Sequence, residues 1–90
     1  SNSSRIRGRF NHKCFKPCGI PQKELDTIIL THDEIEAIRL MDLEGLYQAQ
    51  AADMMEVSRP TFARIISNAR EKIAFALING KNLEIKEELW

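Results

Sequence analysis

Apolar residues in the stretch VSRPTFARIISNAR (Val57–Arg70) return at helical spacing, and the arginines stay off the apolar side. At 100° per residue from Phe62, the residues Ile65, Ile66, Ala69, Ile73, Ala76 and Leu77 fall within about 60° of one direction, which makes one buried stripe. Arg64, Ser67, Asn68 and Glu71 point the other way, with Pro60 and Ala63 beside them. Ser58 is a favoured N-cap, and Pro60 falls in the first turn, where its missing N–H removes no helical hydrogen bond. The pattern predicts a helix, here helix C, over about 59–79, with no breaker before Gly80.

Two further helices precede it. LTHDEI (Leu30–Ile35) reads as a capping box, Thr31 with Glu34, inside a hydrophobic staple of Leu30 and Ile35. Helix A then runs over about 32–44 and stops at Gly45, a natural residue for a left-handed helix end. Helix B covers about 47–55, where Ala51, Ala52, Met54 and Met55 supply small and apolar contacts. Only Glu56 and Val57 separate it from the cap of helix C. A helix joined so tightly to a second one with an exposed cationic N-terminal half is the pattern of a helix-turn-helix. Ala52 is small where helices B and C must approach, and Val57 can plug the core from the turn. Glu56 stands where glycine is favoured; a left-handed backbone there costs roughly 1 kcal/mol relative to Gly.

Outside the helices the signals are weaker. DTIIL (Asp26–Leu30) and NLEIK (Asn82–Lys86) read as two short strands that could pair within one chain or between two. Residues 1–23 lack periodicity and contain Gly8, Pro17, Gly19 and Pro21, so they read as an extended arm or loop. The expected fold is therefore mainly α: a three-helix helix-turn-helix domain over 24–90, an N-terminal arm over 1–23, and two short strands. Phe75 and Ile78, at about 220° and 160°, make the second half of helix C apolar on its outer side as well. A second subunit is the preferred cover; the alternative is FNHKCFKPCGIP folding back with Phe10, Phe15 and Ile20.

Composition bounds the rest. Ninety residues, 43% hydrophobic and 29% charged, make one small soluble domain that often leans on a partner. No apolar run approaches the roughly 20 residues a membrane span needs, and no signal-peptide pattern opens the chain, so a cytoplasmic location is expected. The net charge is zero, but the signs are segregated. Residues 1–23 carry six bases and no acid, 24–56 nine acids against one base, and 57–81 five bases against one acid. A basic arm and a basic third quarter make a polyanion footprint.

These features point to double-stranded DNA. Helix C would enter the major groove with Arg59 and Arg64 reading bases, since Arg matches guanine O6 and N7. Ser67 and Asn68 are secondary readers, while Ser58, Thr61, Gln48 and Gln50 would hold phosphates. Arg5, Arg7 and Arg9 of the arm could reach the backbone or minor groove. Cys14 and Cys18, with His12 nearby, raise a metal or thiol question. Three candidates without a second ligand pair fall short of a zinc signature, so neither metal nor cofactor is expected. No nucleophile–base pair or phosphate loop appears, so neither an enzyme nor a small-molecule substrate is expected.

PCGIP (Pro17–Pro21), LTHDEIEAIRLMDLEGL (Leu30–Leu46), SRPTFARII (Ser58–Ile66) and NGK (Asn79–Lys81) together resemble the prokaryotic family called domain of unknown function 134, or UPF0251. The resemblance spans about Cys14 to Ile85, and the helix-turn-helix part is also similar to region 4 of sigma factors, where a DLEGL-like link precedes helix B. It implies a DNA-binding protein, with Ser58, Arg59, Thr61 and Arg64 in the recognition helix. Ala49 and Gln50, where relatives often carry acids, and Glu56, where they often carry Gly, depart from the pattern. The sigma likeness implies a rival role, a module that binds polymerase or another protein. Relatives that carry a domain similar to those binding iron–molybdenum cofactor precursors imply another, a metal- or thiol-responsive sensor through Cys14 and Cys18.

Overall fold

The computed structural model describes residues 12–20 and 26–86. The elements run β1 (His12–Phe15), β2 (Thr27–Leu30), α1 (His32–Ile38) continued by a π-helical turn (Arg39–Leu43), α2 (Gln48–Met55), α3 (Arg59–Asn79) and β3 (Asn82–Lys86). The domain is mainly α with short strands, as the periodicity predicts.

Each helix begins where a side chain can take the place of a missing backbone partner. At α1 the Thr31 hydroxyl accepts from the Glu34 N–H at 3.2 Å, and the Glu34 carboxylate accepts from the Thr31 N–H at 2.9 Å. At α3 the Ser58 hydroxyl accepts from the Thr61 N–H at 3.2 Å, and Pro60 occupies the first turn. Gly80 closes α3 at φ +65°, its N–H donating to the Ala76 carbonyl. Glu56 ends α2 at φ +60° and ψ +43°, the left-handed conformation that its place in the turn demands. Helix A differs from expectation in its last turn. The Glu44 N–H donates to the Arg39 carbonyl at 2.9 Å, five residues back. In an α-helix Leu40 and Leu43 would share a face; the wider turn leaves Leu40 buried and Leu43 76% exposed.

Ala37, Leu40, Ala51, Ala52, Phe62 and Ile66 form the core, with Ile38, Met41, Leu46, Met55, Val57 and Ile65 packed against it. Ala51 and Ala52 are fully covered, so α2 meets α3 at close range, and Val57 does plug the core from the turn. The predicted stripe of α3 holds except at its end: Phe62, Ile66, Ala69 and Ala76 are buried, but Leu77 is 74% exposed. The reason is position along the helix. The core residues of α3 end at Ile66, and Leu77 lies well beyond them beside an open groove.

The two predicted strands pair within one chain, in parallel, with Thr27 beside Asn82 and Leu30 beside Ile85. Parallel neighbours need a crossover connection, and here all three helices supply it. A third strand corrects the reading of 1–23 as arm or loop throughout. His12–Phe15 pairs antiparallel with β3, Cys14 beside Glu84 and Phe15 beside Leu83, giving the order β1-β3-β2. Four residues bounded by a Pro/Gly turn are too short for alternation to stand out, and the pairing partner lies about 70 residues away, beyond any sequence window.

Two cation bridges tie the layers together. Lys72 of α3 donates to the Ile29 carbonyl of β2 and to the Glu34 carboxylate, both at 2.8 Å. Glu34 is buried, and its two acceptor contacts, from Thr31 and Lys72, are what make that burial tolerable. Arg70 of α3 grips Asp42 of the π turn through a pair of hydrogen bonds at 2.6 and 3.2 Å.

Candidate nucleic-acid interface

α2 and α3 meet in a short turn, Glu56–Ser58, which the left-handed Glu56 reverses; the Val57 N–H closes it on the Ala52 carbonyl at 3.1 Å. With Phe62 and Ile66 holding the inner face of α3 in the core, Arg64, Ser67 and Asn68 are exposed on the outer side, while Arg59, at about 60° from Phe62, is exposed at the first residue of the helix. The helix therefore presents the face that its periodicity assigns.

The basic groups divide by partner. Arg39 is paired with Glu36 and Glu44, Arg70 with Asp42, Lys72 with Glu34 and Lys81 with Asp26. Arg59 and Arg64 have no carboxylate partner among the described residues. Asp53 and Glu56, both exposed, lie just before the turn, and neither bonds to Arg59 among the described residues. The paired arginines polarise their partners. Arg70 hydrogen-bonding to Asp42 holds that carboxyl below its ordinary value, and Arg39 does the same to Glu36.

The secondary residues are partly engaged, and Thr61 and Gln50 keep a donor. Ser58 donates its hydroxyl proton to the Thr61 oxygen at 3.0 Å, which leaves the Thr61 proton without a protein acceptor among the described residues. The Gln50 side-chain oxygen accepts from the Tyr47 N–H at 2.9 Å, so its NH₂ end is the part left for a ligand. Gln50 is thus first a helix cap, a role its sequence position in a turn–helix boundary could have disclosed. Gln48 is half-buried. Pro60 has no N–H and that of Thr61 is taken by Ser58, so the α3 N-terminus adds the Arg59 backbone N–H and the positive end of the helix dipole, with no acid in the first turn.

Other candidates are not gathered here. Arg5, Arg7, Arg9 and Phe10 lie outside the described residues. Cys14 and Cys18 are both exposed and form no disulfide with each other; the Cys14 thiol lies 3.9 Å from a Glu84 carboxylate oxygen. The His12 side chain lies outside the description. Among the described residues no three metal-ligating side chains converge. Phe75 and Ile78 are 48% and 82% exposed, and Phe15 turns towards Leu77 rather than covering them. At 100° per residue they fall at about 220° and 160°, on the same side of α3 as Arg64 at about 200°. The outer face of α3 is thus cationic in its first half and apolar in its second. Among the described residues no helix is long and apolar enough to cross a membrane.

Comparison with known proteins gives relatives of the same kind. A UPF0251 protein of Thermoanaerobacter sp. (strain X514) is 57% identical over 81 residues, covering 90% of this chain and 72% of the relative. Another from Vibrio parahaemolyticus is 48% identical over 84 residues, 93% of this chain and 88% of the relative. A third, from Prosthecochloris aestuarii, is 54% identical over 82 residues, but the match covers only 53% of its length. No solved structure matches the chain. The family described as protein of unknown function DUF134 matches residues 2–88, and the chain belongs to that family.

Proposed function

We propose that the chain is a sequence-specific DNA-binding protein, a transcriptional regulator without catalytic activity, that inserts the first half of α3 into the major groove. The observation that carries this is the contrast among its cations. Arg39 and Arg70 are held by carboxylates, whereas Arg64, on the outer face of a well-capped helix, and Arg59, exposed at its first residue, have no such partner among the described residues. Desolvating an already paired arginine would forfeit its pairing, so arginines meant for an outside anion are best left free of internal acids. Arg59 and Arg64 then read base edges, Ser67 and Asn68 assist, and Thr61, Gln48, Gln50 and the helix N-terminus hold phosphates. The arm arginines Arg5, Arg7 and Arg9 add backbone or minor-groove contacts.

The test is fluorescence anisotropy of a mixed-sequence duplex over a salt series. Wild type should bind with a steep log–log slope, about 0.9 per neutralised phosphate. Arg64→Ala should weaken binding and lower that slope by about 1, as loss of one phosphate-neutralising cation does. No binding at low salt by folded protein would sink this reading.

A second reading, a protein-docking module, is favoured by one specific observation. Leu43, Tyr47 and Met54 are 76%, 78% and 62% exposed around α2, with the acids Glu44, Asp53 and Glu56 also exposed nearby. Large exposed apolar side chains in a group mark contact surfaces. A protein partner there would leave Arg64→Ala without effect on the complex. The homodimer belongs with the DNA reading: Phe75 and Ile78 offer an apolar contact about 16–21 Å along α3 from Arg64, at 1.5 Å per residue.

A further inference from the structure

A concavity at the far end of α3 takes no part in the DNA reading. Its volume is about 240 Å³. One wall is Phe15, Lys16 and Pro17, the chain leaving β1; the other is the last turn of α3, Ala76, Leu77 and Gly80, with Lys81 and Leu83 completing it. Three features define what would fill it. The lining is mostly apolar, and it includes the side chains Phe15 and Leu77, 55% and 74% exposed, which water covers at a cost. Two lysines line it, Lys16 and Lys81, and among the described residues no carboxylate does. The Lys81 partner, Asp26, is 3.3 Å away with its side chain 82% exposed, so the pair is weak and an entering anion can displace or share it.

We propose that this groove binds a small organic acid: an aromatic or branched aliphatic body lodged between Phe15, Pro17 and Leu77, its carboxylate held by Lys16 and Lys81. An apolar pocket with a few placed polar groups is the usual form of a small-ligand site, and at this volume the ligand is of single-ring size. The inference stands independently of DNA binding, since every lining residue lies outside the first half of α3.

Phenylacetate is the probe, with 2-phenylethylamine as its counterpart of equal body and opposite charge. Titration of the protein alone, followed by ¹H–¹⁵N spectra, should move the amides of Ala76, Leu77, Gly80 and Leu83 with saturation in the millimolar range or below, as ligands this small allow. The amine should bind at least about tenfold more weakly, and so should phenylacetate to Lys16→Glu, since each loses the favourable charge contact. Leu77→Asp should abolish the shifts while spectral dispersion shows an intact fold. Absence of shifts, or equal shifts with acid and amine, would overturn the proposal. So would shifts of these amides with protein concentration alone, which would assign the groove to a second copy. Because no DNA is present, failure here leaves the α3 reading untouched, and failure of the anisotropy experiment leaves this one untouched.

Discussion

Glu56 and Glu34 are each held in a setting that its residue type disfavours. Glu56 adopts φ +60°, where a Cβ crowds the following carbonyl. Glu56→Gly should therefore raise stability by about 0.5–1 kcal/mol, read as a higher urea midpoint with unchanged slope; no gain would mean that the turn tolerates its side chain freely. Glu34 is the reverse case, a buried carboxylate satisfied from two sides by Thr31 and Lys72. Lys72→Met should cost about 1–3 kcal/mol, because it strips one of those donors while the charge stays buried. Thr31→Ala, which removes only a cap acceptor, should cost about 1 kcal/mol in the same assay.

At the scale of elements, α3 is the common partner: it packs against α1, α2 and the sheet, and two of its cations reach out to fix neighbours. The Arg70–Asp42 pair joins it to the π turn. Asp42 has a carboxyl pKa below its ordinary value when folded, because Arg70 hydrogen-bonds to it; Glu36 is lowered likewise by Arg39. A depressed folded value means that the unfolded chain binds protons first as pH falls. This stabilisation is present above the ordinary carboxylate range and is lost progressively as the solution is acidified through it and then through the lowered folded values. Both sides of the Arg70–Asp42 pair are substantially exposed, 50% and 39%, so its share is at most about 1 kcal/mol. Asp42→Asn should flatten the acid limb of unfolding free energy against pH and change little else; an unaltered limb would show the pair to be energetically silent. The left-handed Glu56 sets how α2 meets α3, so the site depends on a turn whose backbone is strained.

Over the whole molecule, the outer face of α3 carries two kinds of surface in sequence, cationic at Arg64 and apolar at Phe75 and Ile78. If the second half joins two copies, Ile78→Asp should give a monomer by sedimentation at concentrations where wild type associates, with Arg64→Ala leaving association unchanged. A wild type that is already monomeric at those concentrations would remove the dimer. The groove at the end of α3 lies behind this face, between the end of β1 and the last helical turn. What could be read directly from the amino-acid order was local: the Thr31 and Ser58 caps, the glycine stops, the 3.6-residue stripe and the demand on Glu56 all arise within a few residues of one another. The exposed positions of Arg64, Ser67 and Asn68 were legible for the same reason, since burying Phe62 and Ile66 fixes the opposite side of the same helix. Tertiary structure alone decided what depends on distant partners. It made β1 a strand by pairing Cys14 with Glu84, set β2 and β3 parallel across a helical crossover, matched Arg70 to Asp42 and Lys72 to Glu34, and left Leu77 bare past the end of the core. Periodicity says which way a side chain points, but only the folded chain supplies what it meets.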